Sequence, residues 1–182
     1  MKRTILSLAF ICCLAISAYS QKYLTKSAHL SFFSKTKLEN IEAHSRQATS
    51  ALNIETGDLV FKVGMTTFQF EKALMQEHFN EKYVESEKYP EAIFKGKITN
   101  LSEVNFKKDG TYKATVTGDL TLHGVTKKVT TTGTITVAGG KISAVAAFPV
   151  LIKDYNISIP NAVKDNISET VEVKVDATYS PL

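Results

Sequence analysis

The side chains best equipped for chemistry are four histidines, His29, His44, His78 and His123, and a short acidic and aromatic run, "EHFNE", at residues 77–81. Their spacing does not point to a metal. No His-Glu-x-x-His occurs, and no two histidines stand close enough in sequence to form a ligand pair. A solvated or hydrogen-bonded ring is the expectation for each. "EHFNE" offers Glu77, His78 and Glu81, but on a helix it reads better as Phe79 packing inward among polar neighbours. There is no Gly-x-Ser-x-Gly for an esterase and no glycine-rich phosphate loop. A hydrolase would need a serine, a histidine and an acid assembled by the fold, which spacing alone does not decide. The reading is therefore of a non-enzyme with no catalytic residue, no metal site and no cofactor.

Cysteine chemistry depends on what the chain keeps. It opens "MKRTILSLAFICCLAISAYSQ": two basic residues, an apolar run from Ile5 to Ile16, then Ala18-Tyr19-Ser20. That order reads as a secretory signal peptide over residues 1–20, too short for a comfortable membrane span. Both cysteines, Cys12 and Cys13, lie inside the apolar run. The mature domain, residues 21–182, would then have no disulfide and no thiol nucleophile. Ile11 precedes Cys12 and the run continues past Cys13, which is wrong for lipidation. Export in a bacterium, to the periplasm or beyond, is the expected localisation. The formal charge of +4 falls to about +2 without Lys2 and Arg3. No basic stripe interleaves with aromatics, so no nucleic-acid footprint is present. Membrane contact is expected to be transient if it occurs, and homodimerisation is an open expectation.

The elements that must position these residues follow one period. Tyr112, Ala114, Val116, Gly118, Leu120 and Leu122 occupy even numbers between polar odd ones. From Val125 onward the apolar or small residues are odd: Val129, Gly133, Ile135, Val137. Period two marks strands with one buried face. A two-residue hairpin loop at His123-Gly124 explains the change of phase, with Leu122 opposite Val125, Gly118 opposite Val129 and Ala114 opposite Gly133. Gly124 supplies the positive φ that such turns need. Further strands are expected at about 28–34, 41–54, 58–65, 92–98, 142–148 and 171–179, making about eight. Residues 70–84 place Phe70, Ala73, Leu74 and His78 at helical spacing. Residues 153–167, around Pro160, read as a loop. Asn100, Asn156 and Asn166 head Asn-x-Ser triplets that matter only in a glycosylating pathway.

Eight antiparallel strands with one apolar face form a sandwich or a barrel. A barrel of eight is just filled by side chains or holds one small ligand. Ala114, Gly133, Gly118 and Gly96 would leave central space walled by larger groups. Alternatively, the glycines relieve strain where coiled strands bend. Sequence alone supports both.

"GDLTLHGVTKKV", residues 118–129, and "EHFNEKYVESEKYPEAIFKGKI", residues 77–98, resemble the YceI-like, polyisoprenoid-binding family. The resemblance covers the mature chain. It implies an all-β fold, an eight-stranded antiparallel, lipocalin-like extended β-barrel with one short helix inserted at about 70–84. It also implies a long isoprenoid or similar lipid in the interior. Family members often carry Gly-x-Phe on the second strand, where this chain has "ENIEAHSRQATSALNIETGDL". Lipid binding also has its own physical case: a carrier needs only a dry tunnel, and each buried methylene contributes about 0.8 kcal/mol. Parity nominates Leu30, Phe32, Leu59, Phe61, Phe94, Ala114, Val116, Val129, Gly133, Ile135, Phe148 and Val173 as lining residues, any of which could instead be plain core. His123, at a turn, is a candidate head-group contact. The competing readings are a filled secreted barrel that binds another protein or serves in stress, and an enzyme. Whether the interior is occupied by side chains separates the first of these from a carrier.

Overall fold

The structure is a computed structural model and describes residues 21–182. The proposed signal segment, 1–20, and both cysteines lie outside the described residues. Nine strands run in chain order: β1 (Lys22–Lys35), β2 (Asn40–Asn53), β3 (Asp58–Gly64), the two-residue β4 (Gln69–Phe70), β5 (Glu91–Ile98), β6 (Gly110–Leu122), β7 (Val125–Ala138), β8 (Lys141–Leu151) and β9 (Thr170–Pro181). A six-residue helix, α1 (Ala73–His78), continues directly into one π-helical turn at Phe79–Tyr83. The sheet order is β1-β9-β8-β7-β6-β5-β3-β2-β4, and β1 also pairs with β2. That last pairing closes eight long antiparallel strands into a barrel and leaves no free edge among them.

The hairpin at "HG" has the register that parity demands. Leu122 pairs with Val125, Gly118 with Val129, Ala114 with Gly133 and Tyr112 with Ile135. His123 has φ 49° and Gly124 φ 73°, the two positive values of a type I′ turn. Tyr89 packs over the turn so closely that a Cβ on Gly124 would lie 2.5 Å from its ring.

β1 and β2 alternate poorly in sequence for a structural reason. Their register slips between Thr25 and Ala28 and again between Ala28 and Leu30. In β1 the buried positions accordingly pass from Tyr23 and Thr25 to Ala28, Leu30 and Ser34. In β2 they pass from Ala43 and Ser45 to Ala48, Ser50 and Leu52. Each bulge adds a residue and switches the inward parity.

The insertion packs differently from its sequence period. Leu74 is 60% exposed and Ala73 is exposed, while Met75, Phe79, Tyr83 and Val84 turn inward. The expected face, counted at 3.6 residues from Phe70, fails because Phe70 belongs to β4 and the helix widens into a π turn after six residues. Phe79 does pack inward. It joins Phe32, Phe68 and Phe70 with ring centroids 5.1–5.8 Å apart, and such contacts contribute about 0.5–1.5 kcal/mol per pair beyond burial. The segment after β8 forms two short 3-10 turns, Ile152–Tyr155 and Asn161–Val163.

Candidate ligand-binding cavity

The insertion, the loop after β8, the β1–β2 turn and the "HG" turn all meet at one end of the barrel. The opposite end is its floor. Tyr179, Ile142, Val137 and Ile98 are buried there, and the Tyr179 hydroxyl hydrogen-bonds Ser50 Oγ at 2.8 Å. Burial raises the Tyr179 pKa strongly, so this hydroxyl keeps its proton and acts as a polar staple. Above the floor the inward side chains leave a cavity of about 440 Å³. That lies within the range of small-molecule sites.

All twelve residues nominated by parity border this cavity: Leu30, Phe32, Leu59, Phe61, Phe94, Ala114, Val116, Val129, Gly133, Ile135, Phe148 and Val173. Alternation puts them on one face, and closure turns that face inward. Others were not nominated. Phe68, Phe70, Met75, Phe79, Tyr83 and Val84 roof the cavity from the insertion, and Ile152, Ile157 and Val163 from the loop after β8. Apart from Phe70, on the two-residue β4, these come from non-repeating backbone, where period two gives no signal. The even-odd rule could have found Thr131, which follows Val129 on the inner face. It borders the cavity, and its hydroxyl donates to the Ala147 carbonyl at 3.2 Å. That bond serves a stretch where β7 and β8 are no longer paired, since their ladder stops at Gly133 and Ala146.

The glycines do not create the space. A Cβ on Gly133 would lie 2.6 Å from the Val145 carbonyl oxygen, so this glycine permits close approach of β8. A Cβ on Gly96 would meet the Phe94 ring at 2.5–2.6 Å, and one on Gly118 would collide with the Gly96 backbone and the same ring. Gly96 and Gly118 thus form a notch in which Phe94 lies flat. These three glycines mark close approach of neighbouring groups, and the small side chains that border the cavity are Ala114, Ala144 and Ala146.

His123 is not a cavity residue. Its side chain is 9% exposed, with Nδ1 2.9 Å from the Tyr155 carbonyl oxygen and Nε2 2.7 Å from Glu85 Oε2. Both bonds form together only when both nitrogens carry hydrogens, because both partners are acceptors. Tyr89 packs against the ring edge at 4.5 Å. With its nitrogens committed to roof segments, the ring has nothing left for a head group. Instead it clasps the "HG" turn to the insertion and to the loop after β8.

The remaining histidines separate. His29 and His44 stack on β1 and β2, ring centroids 5.3 Å apart and Nε2 to Nδ1 3.1 Å. Partial burial, then the charges of Arg46 and His44, hold His29 below the ordinary histidine value. His78 borders the cavity at its roof. Among the described residues no group of three or more His, Cys, Asp or Glu is placed to hold a metal, and no serine hydroxyl hydrogen-bonds a histidine ring. Polar groups on the wall are few. Lys62 is ion-paired to Glu91 at 2.6 Å. Glu39 Oε2 accepts from Asn166 Nδ2 at 3.2 Å, and Oε1 lies 3.4 Å from Lys72 Nζ. Such an arrangement offers a long apolar solute shape and dryness, with a few polar atoms at one end.

The family model for the YceI-like domain matches residues 21–179. The chain belongs to the YceI-like family. Among solved structures, this YceI-like barrel is similar to a polyisoprenoid binding domain from Saccharophagus degradans implicated in plant cell wall breakdown. The TM-score is 0.77 at 15% identity, covering 90% of this chain and 99% of that one. It is also similar to Burkholderia cenocepacia BcnA, with TM-score 0.68 at 17% identity over 84% of this chain and 96% of that one. A Campylobacter jejuni YCEI protein gives 0.57 at 18% identity, over 79% and 88%. At these identities the likeness shows the fold. No curated protein sequence matches the chain.

Proposed function

We propose that this protein holds one long apolar lipid, of polyisoprenoid or quinone-like type, inside the barrel and serves as its carrier or sequestering protein. The carrying observation is the cavity of about 440 Å³, walled by the inward side chains of the strands and roofed by the insertion. Membership of the YceI-like family and the polyisoprenoid binding domain among its structural neighbours support the ligand class. Burial of a few isoprene units at about 0.8 kcal/mol per methylene is enough for tight retention without any catalytic group. The chemistry needed is exclusion of water, so the reading assigns no catalytic residue.

Export belongs to the same reading. The basic start, short apolar run and Ala-x-Ser ending of residues 1–20 support a cleaved signal and a periplasmic or secreted protein. A lipid crossing an aqueous compartment needs such a container, and loading requires only transient contact with a membrane. The test is native mass spectrometry of the mature protein from its own host, followed by organic extraction. A co-purifying isoprenoid or quinone supports the reading and names the class. A clean apo mass, with no uptake of supplied lipids, favours a barrel that acts through its outer surface.

A further inference from the structure

The polar groups at the cavity roof select a kind of head group. Resting on the lipid-holding reading, we infer that the barrel takes an isoprenoid with an uncharged, hydroxyl-bearing head and rejects its phosphorylated counterpart. A phosphate head needs cations or a cluster of free N–H donors to replace its hydration. Among the described residues the wall offers no unpaired cation, and its side-chain N–H donors are no cluster: His78 stands alone and the Asn166 amide is turned to Glu39. Its one lysine, Lys62, is held by Glu91 at 2.6 Å. Lys72 does not border the cavity; its side chain is 62% exposed and it already faces Glu39. Of two further wall hydroxyls, Thr131 spends its hydrogen on the Ala147 carbonyl and Ser34 Oγ accepts from the Ser168 amide, which leaves Ser34 a single neutral O–H donor and no cation.

What the roof does present is the Glu39 carboxylate, the Asn166 amide and His78. Glu39 is pinned on both sides, by Asn166 and Lys72, so the acceptor is fixed in place. A carboxylate favours a donor, and an alcohol supplies one while its oxygen accepts from an imidazole or amide N–H. A phosphate would set like charges side by side in a partly desolvated site, which is unfavourable.

The experiment compares a polyprenol with the polyprenyl monophosphate of the same chain length, each competing from detergent micelles against a fluorescent fatty probe on the mature apoprotein. The expected result is that the alcohol binds at least about tenfold more tightly. Glu39→Gln should narrow the ratio from both sides, improving phosphate binding and weakening the alcohol by a few-fold, since an amide oxygen still accepts but less strongly than a carboxylate. Equal or tighter binding of the phosphate to the unaltered protein overturns the inference but leaves the lipid-holding reading standing. So does a ratio that Glu39→Gln does not move, or phosphate binding that depends on Lys72 in a Lys72→Ala variant. If neither lipid binds while circular dichroism reports a folded barrel, the lipid-holding reading itself falls.

Discussion

Blocking the cavity from within is the sharpest test of where a lipid lies, and Ala144→Phe is the substitution the geometry recommends. Ala144 sits on the inner face of β8 between Ile135 and Ala177, and it borders the cavity. A Phe there places a ring in the space a ligand would use. The ring displaces roughly six methylene-sized groups at about 0.8 kcal/mol each, or about 4–5 kcal/mol of ligand burial. That corresponds to about a thousandfold in affinity, and a ligand that slides toward the roof recovers part, leaving at least about a hundredfold. Because the ring enters a cavity, thermal unfolding should stay near the parent, short of the ~1–3 kcal/mol cost of overpacking a filled core. Ala147→Phe, outward on the same strand, is the control and should bind normally. The assay is displacement of a fluorescent fatty probe together with retained lipid in native mass spectra. Unimpaired binding by folded Ala144→Phe would refute an interior site. Gly133→Leu is the wrong variant for this purpose, since its Cβ meets the β8 backbone before it reaches the cavity.

Three further outcomes follow from particular contacts. Tyr179→Phe leaves the buried Ser50 hydroxyl unpaired and should cost about 1–3 kcal/mol in urea unfolding, part of which Ser50→Ala restores in the double variant. His123→Ala removes the clasp to Glu85 and Tyr155 and should cost about 1–2 kcal/mol; amide exchange should quicken at residues 84–89 and 152–157 while the β8–β9 ladder stays protected. His29 should titrate below the ordinary histidine value by nuclear magnetic resonance, and Arg46→Gln should raise it. A depressed folded value means the folded state binds fewer protons, so this group withdraws stability as pH falls through about 6.5 toward the folded value. A His29 titration at or above the ordinary value would contradict the assignment of its neighbours.

How much was legible depends on whether a residue's place follows from its immediate neighbours. The "HG" hairpin was readable to the residue because parity and a two-residue turn fix every pair down to Tyr112 and Ile135. The twelve nominated residues followed from the same rule, because alternation puts them on one face and closure of the barrel turns that face inward. β1 and β2 were blurred by bulges that switch the inward parity, a change of one residue that leaves no mark in composition. The glycines misled because an absent side chain marks either open space or a close neighbour. Phe94 and the β8 backbone decide for the neighbour. The roof was least legible. Glu39 and Asn166 meet across 127 residues, and His123 meets Glu85 across 38.

The distribution of contacts divides the molecule into a rigid vessel and a tethered roof. Eight paired strands, a buried floor and the Ser50–Tyr179 staple open only with the whole domain. The roof rests on the Phe32, Phe68, Phe70 and Phe79 cluster and on two polar clasps, Asn166–Glu39–Lys72 and Glu85–His123–Tyr155. Strand order puts the β1–β2 turn and the β6–β7 turn on opposite sides of the ring, so the clasps hold the roof at two opposed points. Each hydrogen bond in them is worth about 1 kcal/mol net, far less than the burial that holds the floor. Opening at the roof therefore costs less than opening at the floor, and amide exchange should be faster at residues 84–89 and 152–157 than in the β8–β9 ladder.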